Sequence, residues 1–130
     1  MICCFDMRFP ETVRTEMLKG ARIVVHPTNL PPAGTAYPEH LNRSRACENR
    51  VFIVSANRIG DERGFHFIGR SQILSSDGEI LGEMNEEEGI ILANLDLSLA
   101  EQKDIIVRPG IHEMHLVTGR RPDLYDAIVQ

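Results

Sequence analysis

Two thiols stand together near the start of the chain, in Met1-Ile2-Cys3-Cys4-Phe5-Asp6-Met7-Arg8-Phe9-Pro10-Glu11. A short apolar run leads into the pair, and Pro10 stands where a helix begins. Proline is tolerated at the first helical position because its missing N–H has no partner to lose there. Glu11, just behind it, suits the positive end of the helix dipole. Cys4 therefore reads as a residue on a strand-to-helix turn. Such a turn lifts a nucleophile out of the strand and surrounds it with free backbone N–H groups. A helix start and a nearby arginine, here Arg8, are the surroundings in which cysteines react as thiolates. The plain alternative is a strand cysteine that merely packs, as free cysteines commonly do. His26 offers a third arrangement, a cysteine–histidine pair with Cys4 that Asp6 would orient. His112 and His115, three apart, suggest a metal pair, but no third ligand has suitable spacing, and no metal is expected.

The elements that must position these groups follow from periodicity. Pro10 to Lys19 reads as a helix with Val13, Met17 and Leu18 facing the core and Gly20 ending it. Ala21 to Val25 is a short β-branched strand. His26 to Pro38 holds four prolines, so it reads as a loop long enough to wall a pocket. Glu39 to Arg50 reads as a second helix with Leu41, Ala46 and Cys47 buried. Its Arg43, Arg45 and Arg50 then form a solvated or salt-bridged face with Glu39 and Glu48. Val51 to Ala56 is a continuous apolar strand of the kind buried on both faces. This β-α-β-α-β order predicts an α/β fold, a sheet with helices packed on it.

Beyond Gly64 the pattern predicts strands. Phe65 to Ile73 alternates with period two, Ser75-Ser76-Asp77-Gly78 signals a hairpin, and Ile80 and Leu81 lie on the return strand. Glu86-Glu87-Glu88 reads as a solvated turn, Gly89 to Leu97 as another strand, and Ser98 to Glu101 as a capping box opening a short helix. From Arg108 the pattern is irregular until a helical turn at Pro122.

Composition sets the class. The chain has 130 residues, in the range of one domain. Its net charge of −5 offers no electrostatic footprint for nucleic acid, and no apolar run approaches the ~20 residues of a membrane span. Cys3, Cys4 and Cys47 lack disulfide or zinc spacing. The expectation is a cytoplasmic protein with reduced thiols and no cofactor, binding neither membrane nor nucleic acid.

Cys4-Phe5-Asp6-Met7-Arg8-Phe9-Pro10-Glu11 resembles the segment around the nucleophile of the nitrilase superfamily, the carbon–nitrogen hydrolases. The resemblance continues in order through Pro27-Thr28-Asn29, Arg45-Ala46-Cys47-Glu48-Asn49-Arg50-Val51-Phe52 and Ala56-Asn57-Arg58-Ile59-Gly60. It then runs through Phe67-Ile68-Gly69-Arg70-Ser71, Asp77-Gly78-Glu79 and Asp96-Leu97-Ser98. What it implies is a Glu-Lys-Cys triad with Cys4 as nucleophile and the Phe5 backbone N–H helping to hold the oxyanion. In that family the glutamate and lysine both precede the cysteine, whereas neither Glu nor Lys precedes Cys4 here. The resemblance therefore implies a single partial domain over residues 1–130. That domain matches the C-terminal half of an αββα four-layer sandwich, with the half that carries Glu and Lys absent.

The implied reaction is hydrolysis of an amide, carbamoyl or nitrile carbon–nitrogen bond through a cysteine thioester, with no metal and with little turnover expected of this chain alone. N-carbamoyl amino acid hydrolases place an arginine where Arg8 stands and an asparagine where Asn29 stands. The resemblance thus implies a carboxylate-bearing substrate met by Arg8, Thr28 and Asn29; the structural alternative for Arg8 is an ion pair with Glu11 or Glu48. Tyrosine is replaced at Phe5, which removes one hydroxyl. Family enzymes pair through the helices after the nucleophile and through the C-terminal tail, so a homo-oligomer is expected, with the Glu39–Arg50 helix and residues 122–128 involved. A non-catalytic interaction module and an independent cysteine hydrolase using His26 are the other readings.

Overall fold

The structure is a computed structural model that describes residues 1–129. Helix α1, Pro10–Leu18, begins with Pro10 at its first position behind an extended Phe9. Val13 and Met17, one turn apart, are buried. Leu18 is 44% exposed rather than core-facing, because it lies about 100° around the helix from Met17.

Strand β1 spans Ile23–Thr28, so His26, Pro27 and Thr28 belong to the sheet and not to the loop expected there. The sheet order explains how a proline is admitted: β1 is the edge of a four-stranded sheet, and an edge strand tolerates a missing ladder donor. Strand β2, Phe52–Asn57, runs parallel to β1 with Val24 opposite Ile53, His26 opposite Ser55 and Thr28 opposite Asn57. Helix α2, Asn42–Asn49, crosses between them, as a parallel pair requires. A π-helical turn, Tyr37–Leu41, leads into it, and Arg50 closes it in the left-handed conformation with φ 50°.

The buried side of α2 differs from expectation. Ala46 is buried, Leu41 only partly so and Cys47 is exposed, while the polar Asn42, Arg45 and Asn49 are buried. Asn49 Nδ2 donates back to the Arg45 carbonyl at 2.9 Å, and Asn42 Nδ2 donates to Gln72 Oε1 at 3.2 Å. Hydrogen-bond partners, not apolar character, admit these residues to the interior.

The expected strand from Phe65 to Ile73 is two strands. β3, Ile59–Glu62, and β4, Phe65–Ile68, form a separate hairpin, and β5, Gln72–Leu74, pairs antiparallel with β2. Between them Gly69 and Arg70 both take φ 59°, which no strand can continue through. β5 joins β6, Ile80–Glu83, through the expected turn, with Gly78 at φ 89°.

Residues 89–97 form no ladder; Ile90 and Leu92 are 86% and 87% exposed. Their alternation suits a pleat, but a strand also needs a neighbour for its backbone groups. Helix α3, Ser98–Glu101, follows. Its N-cap is Leu97, and Asp96 before it accepts at Oδ1 from the Ser98 N–H at 3.0 Å and from the Ser98 hydroxyl at 2.7 Å. Ser98 is thus a donor, not the capping acceptor. The stretch read as irregular holds a hairpin of β7, Asp104–Arg108, and β8, His112–His115, before the expected turn at Pro122–Leu124.

The core lies between the helices and one sheet face, built from Val13, Met17, Val24, Ala46, Ile53 and Leu74. On the other face of β1, Ile23 and Val25 are 38% and 43% exposed. No helix among the described residues is long and apolar enough to cross a membrane.

Candidate active site

The start of the chain lies beside β1, with the Ile2 N–H donating to the Val25 carbonyl at 3.0 Å. It is a single bond rather than a strand. At Cys4 the backbone turns to φ 40°, a region non-glycine residues enter seldom, and a 3-10 helix, Cys4–Arg8, follows. The turn thus separates Cys4 from the start of α1 at Pro10, and the α1 dipole does not begin at the thiol as expected. Three groups brace this segment. Asp6 Oδ2 accepts from the Cys3 N–H at 2.8 Å, His26 Nε2 contacts the Cys4 carbonyl oxygen at 2.9 Å, and Arg45 Nη2 donates to the Arg8 carbonyl at 3.2 Å.

Cys4, half-buried, opens on a cleft of about 380 Å³ lined by Cys3, Pro27, Thr28, Asn29, Ala56, Asn57 and Arg58. Thr28 ends β1 and Asn57 ends β2, so the cleft sits at the carboxyl ends of two parallel strands, where ligands of α/β sheets bind. Cys3 and Cys4 both line it. In a continuous strand the two would point to opposite faces; the turn at Cys4 removes that alternation.

The Thr28 hydroxyl oxygen is buried and has no hydrogen-bond partner among the described residues. The Asn57 side chain is fully engaged, its Oδ1 accepting from the Leu30 N–H at 2.8 Å and its Nδ2 donating to the Gly69 carbonyl. Arg58 pairs with Glu62 and lies over the Phe67 ring, 4.7 Å from its centroid. Asn57 and Arg58 were not among the expected site residues. The signal for them was topological: if β1 and β2 are parallel neighbours, the residues that end both must meet.

Of the expected residues, the cleft brings together Cys4, Thr28 and Asn29. The Phe5 side chain is 61% exposed and meets Phe9 edge-on at 5.0 Å. The Arg8 guanidinium stacks over Tyr37, 5.2 Å from the ring centroid, outside the cleft lining. It makes no ion pair with Glu11 or Glu48; Glu48 is held by Arg45 at 3.2 Å.

His26 does not pair with the Cys4 sulfur. Its ring is fully buried, with Nδ1 3.0 Å from the Ser55 hydroxyl oxygen and Nε2 on the Cys4 carbonyl oxygen. Burial pushes its pKa below the ordinary histidine value, against smaller opposing effects of the Cys4 carbonyl and Asp6. At the other end of the chain, His115 pairs with Asp104 at 3.0 Å and Glu113 at 3.2 Å.

The carbon–nitrogen hydrolase family model matches residues 1–104. A nitrilase of Pyrococcus abyssi is 45% identical over 108 residues, covering 81% of this chain and 39% of the relative. Two solved structures are similar. One is a variant of the amidase of Nesterenkonia sp. AN1 after Michael addition of acrylamide at its active-site cysteine (TM-score 0.70, 34% identity, 78% of this chain and 40% of that one). The other is a carbon–nitrogen hydrolase of Helicobacter pylori G27 (TM-score 0.81, 25% identity, 99% and 48%). This chain spans less than half the length of each. With nitrilase and amidase relatives, an α/β fold of the same kind and a cysteine on a turn at a strand-end cleft, the chain belongs to the carbon–nitrogen hydrolase family.

Proposed function

We propose that the chain carries the nucleophile of an amidase- or N-carbamoyl amidohydrolase-type enzyme, with Cys4 attacking an amide, carbamoyl or nitrile carbon. In the amide case the Cys4 sulfur bonds to the carbonyl carbon and the carbon–nitrogen bond breaks. The nitrogen leaves as ammonia or an amine, and water then resolves the thioester. The Phe5 N–H helps hold the oxyanion, while Thr28 and Asn29 receive the substrate. A carboxylate on that substrate would meet Arg58, which lines the cleft, while Arg8, which the resemblance implies for this contact, would have to leave its place over Tyr37 to reach it.

The observation that carries this reading is the position of Cys4, turned out at φ 40° into a cleft at the ends of β1 and β2. The same cleft lining holds no carboxylate and no lysine. Turnover therefore needs a general base, and the lysine that the resemblance implies, from beyond it, and this chain by itself is expected to label at Cys4 without turning over.

Limited alkylation with mass mapping tests the nucleophile, and an assay over simple amides, N-carbamoyl amino acids and nitriles tests turnover. Preferential labelling of Cys3 or Cys47 would refute the assignment of Cys4. Turnover by the chain that is lost in Cys4→Ala would show that a base is already present in it.

A second reading, association through this chain's surface, has its own observation. Ile23 and Val25 are exposed on one sheet face, and Leu124 and Ile128 are 67% and 54% exposed in the tail. Apolar surface of this kind marks interfaces, and we propose a homo-oligomer with α2 and residues 122–128 involved.

A further inference from the structure

The proposed chemistry leaves unused the bond between the buried His26 ring and the Cys4–Phe5 peptide group. A carbonyl oxygen can only accept, so Nε2, 2.9 Å from the Cys4 oxygen, carries the ring proton and donates it. Burial keeps the ring neutral, so Nδ1 is the acceptor and the Ser55 hydroxyl, 3.0 Å away, donates to it. Tyr37 lies nearly parallel to the ring at 6.3 Å between centroids. Two partners and a packed face thus fix one tautomer in one orientation.

A peptide group is planar and trans, so the Cys4 C=O and the Phe5 N–H point in opposite directions within one plane. Whatever holds the oxygen therefore aims the hydrogen. A hydrogen bond to the oxygen also polarises the group and makes the N–H a stronger donor. Among the described residues that N–H has no hydrogen-bond partner outside its own 3-10 turn. Cys4, at φ 40°, holds a conformation that persists only where its surroundings over-determine it.

We propose that His26 is a positioning residue: by holding the Cys4 carbonyl it aims and polarises the Phe5 N–H toward the oxygen of a carbonyl under attack by Cys4. This rests on the reading of Cys4 as nucleophile.

Two reagents separate the role from mere folding. With p-nitrophenyl acetate, the Cys4 sulfur bonds to the acetyl carbon. The carbonyl oxygen takes the negative charge and returns it as the carbon–oxygen bond breaks and p-nitrophenolate leaves. With iodoacetamide the sulfur displaces iodide and no oxyanion forms. Both rates are followed at Cys4 by mass mapping of the whole chain. His26→Leu should slow acylation at least about tenfold, since loss of an oxyanion donor costs that much or more, while alkylation stays within a few fold. His26→Gln, whose amide N–H replaces Nε2–H, should recover most of the loss. Ser55→Ala, which keeps the ring but frees its tautomer, should show a smaller loss in the same direction.

Equal losses with both reagents, or unchanged acylation, would overturn the positioning role. If His26→Leu fails to fold by circular dichroism, Ser55→Ala decides, and an unchanged ratio of acylation to alkylation overturns it. Cys4 that alkylates but never acylates in the unsubstituted chain overturns the positioning role alone. Cys4 that reacts with neither reagent overturns the nucleophile reading and the positioning role together.

Discussion

Replacing Asn57 with alanine should destabilise the fold more than any other single change in the cleft wall. Its side chain joins two segments distant in sequence, accepting from the Leu30 N–H at 2.8 Å and donating to the Gly69 carbonyl. Leu30 and Gly69 are both buried, so water cannot readily replace the lost partner. Two hydrogen bonds contribute about 1 kcal/mol each, and a stranded buried group costs a further ~1–3 kcal/mol. The expected loss is thus about 3–5 kcal/mol. For 130 residues the unfolding entropy near the midpoint is about 0.27 kcal/mol per degree, so the melting temperature should fall by about 11–18 °C. Thermal and urea unfolding of the two proteins is the assay. A change under ~0.5 kcal/mol for Asn57→Ala would show that this side chain does not hold the cleft wall together.

Gly69→Ala should be destabilising by about 2 kcal/mol or more, because at φ 59° an added Cβ would collide with the Asn85 backbone oxygen; an unchanged melting temperature refutes this. Stability should decline as pH falls below about 6.5, where the unfolded His26 takes up a proton that the buried, pKa-lowered ring resists, and His26 should cost nothing above that pH. His115, held above its ordinary value chiefly by its hydrogen bond to Asp104, works in the opposite direction. His26→Gln, which keeps His115, should therefore lose less stability than the unsubstituted chain on acidification, and parallel curves would refute the assignment. Light scattering during size exclusion at micromolar concentration should give a dimer or larger, and a clean 14.6 kDa monomer would exclude association through the exposed sheet face and tail.

Sequence patterning captured the elements whose signal is local. The Pro10 helix start, the Asp77-Gly78 hairpin and the β-branched strands around the second helix all carry their geometry in adjacent residues. It missed what depends on partners. Arg45 reads as part of a solvated face with Arg43 and Arg50 until the turn that follows Cys4 is brought against it, and Asn42 and Asn49 carry no apolar signal for their burial. The strand expected over residues 89–97 had the right alternation and no neighbour, while β7 and β8 paired despite weak alternation. Of the residues that line the cleft, Cys4 stood out from its local segment, and Thr28 and Asn29 from the resemblance. Asn57 and Arg58 required knowing that β1 and β2 lie side by side.

That side-by-side pairing also sets how the chain must fold. The β3–β4 and β5–β6 hairpins join neighbours in sequence and can close within about 1–10 μs. The central ladder instead joins residues 29 apart, as His26 and Ser55 are, with α2 between them. Closing such a span costs about 3 kcal/mol of chain entropy before any contact repays it, so the parallel pair should form late. Until it does, the apolar run from Val51 to Val54 lacks its β1 neighbour and is open to strands of other molecules. Refolding yield should therefore fall with protein concentration, and the slow step should be the meeting of β1 with β2, which also assembles the cleft.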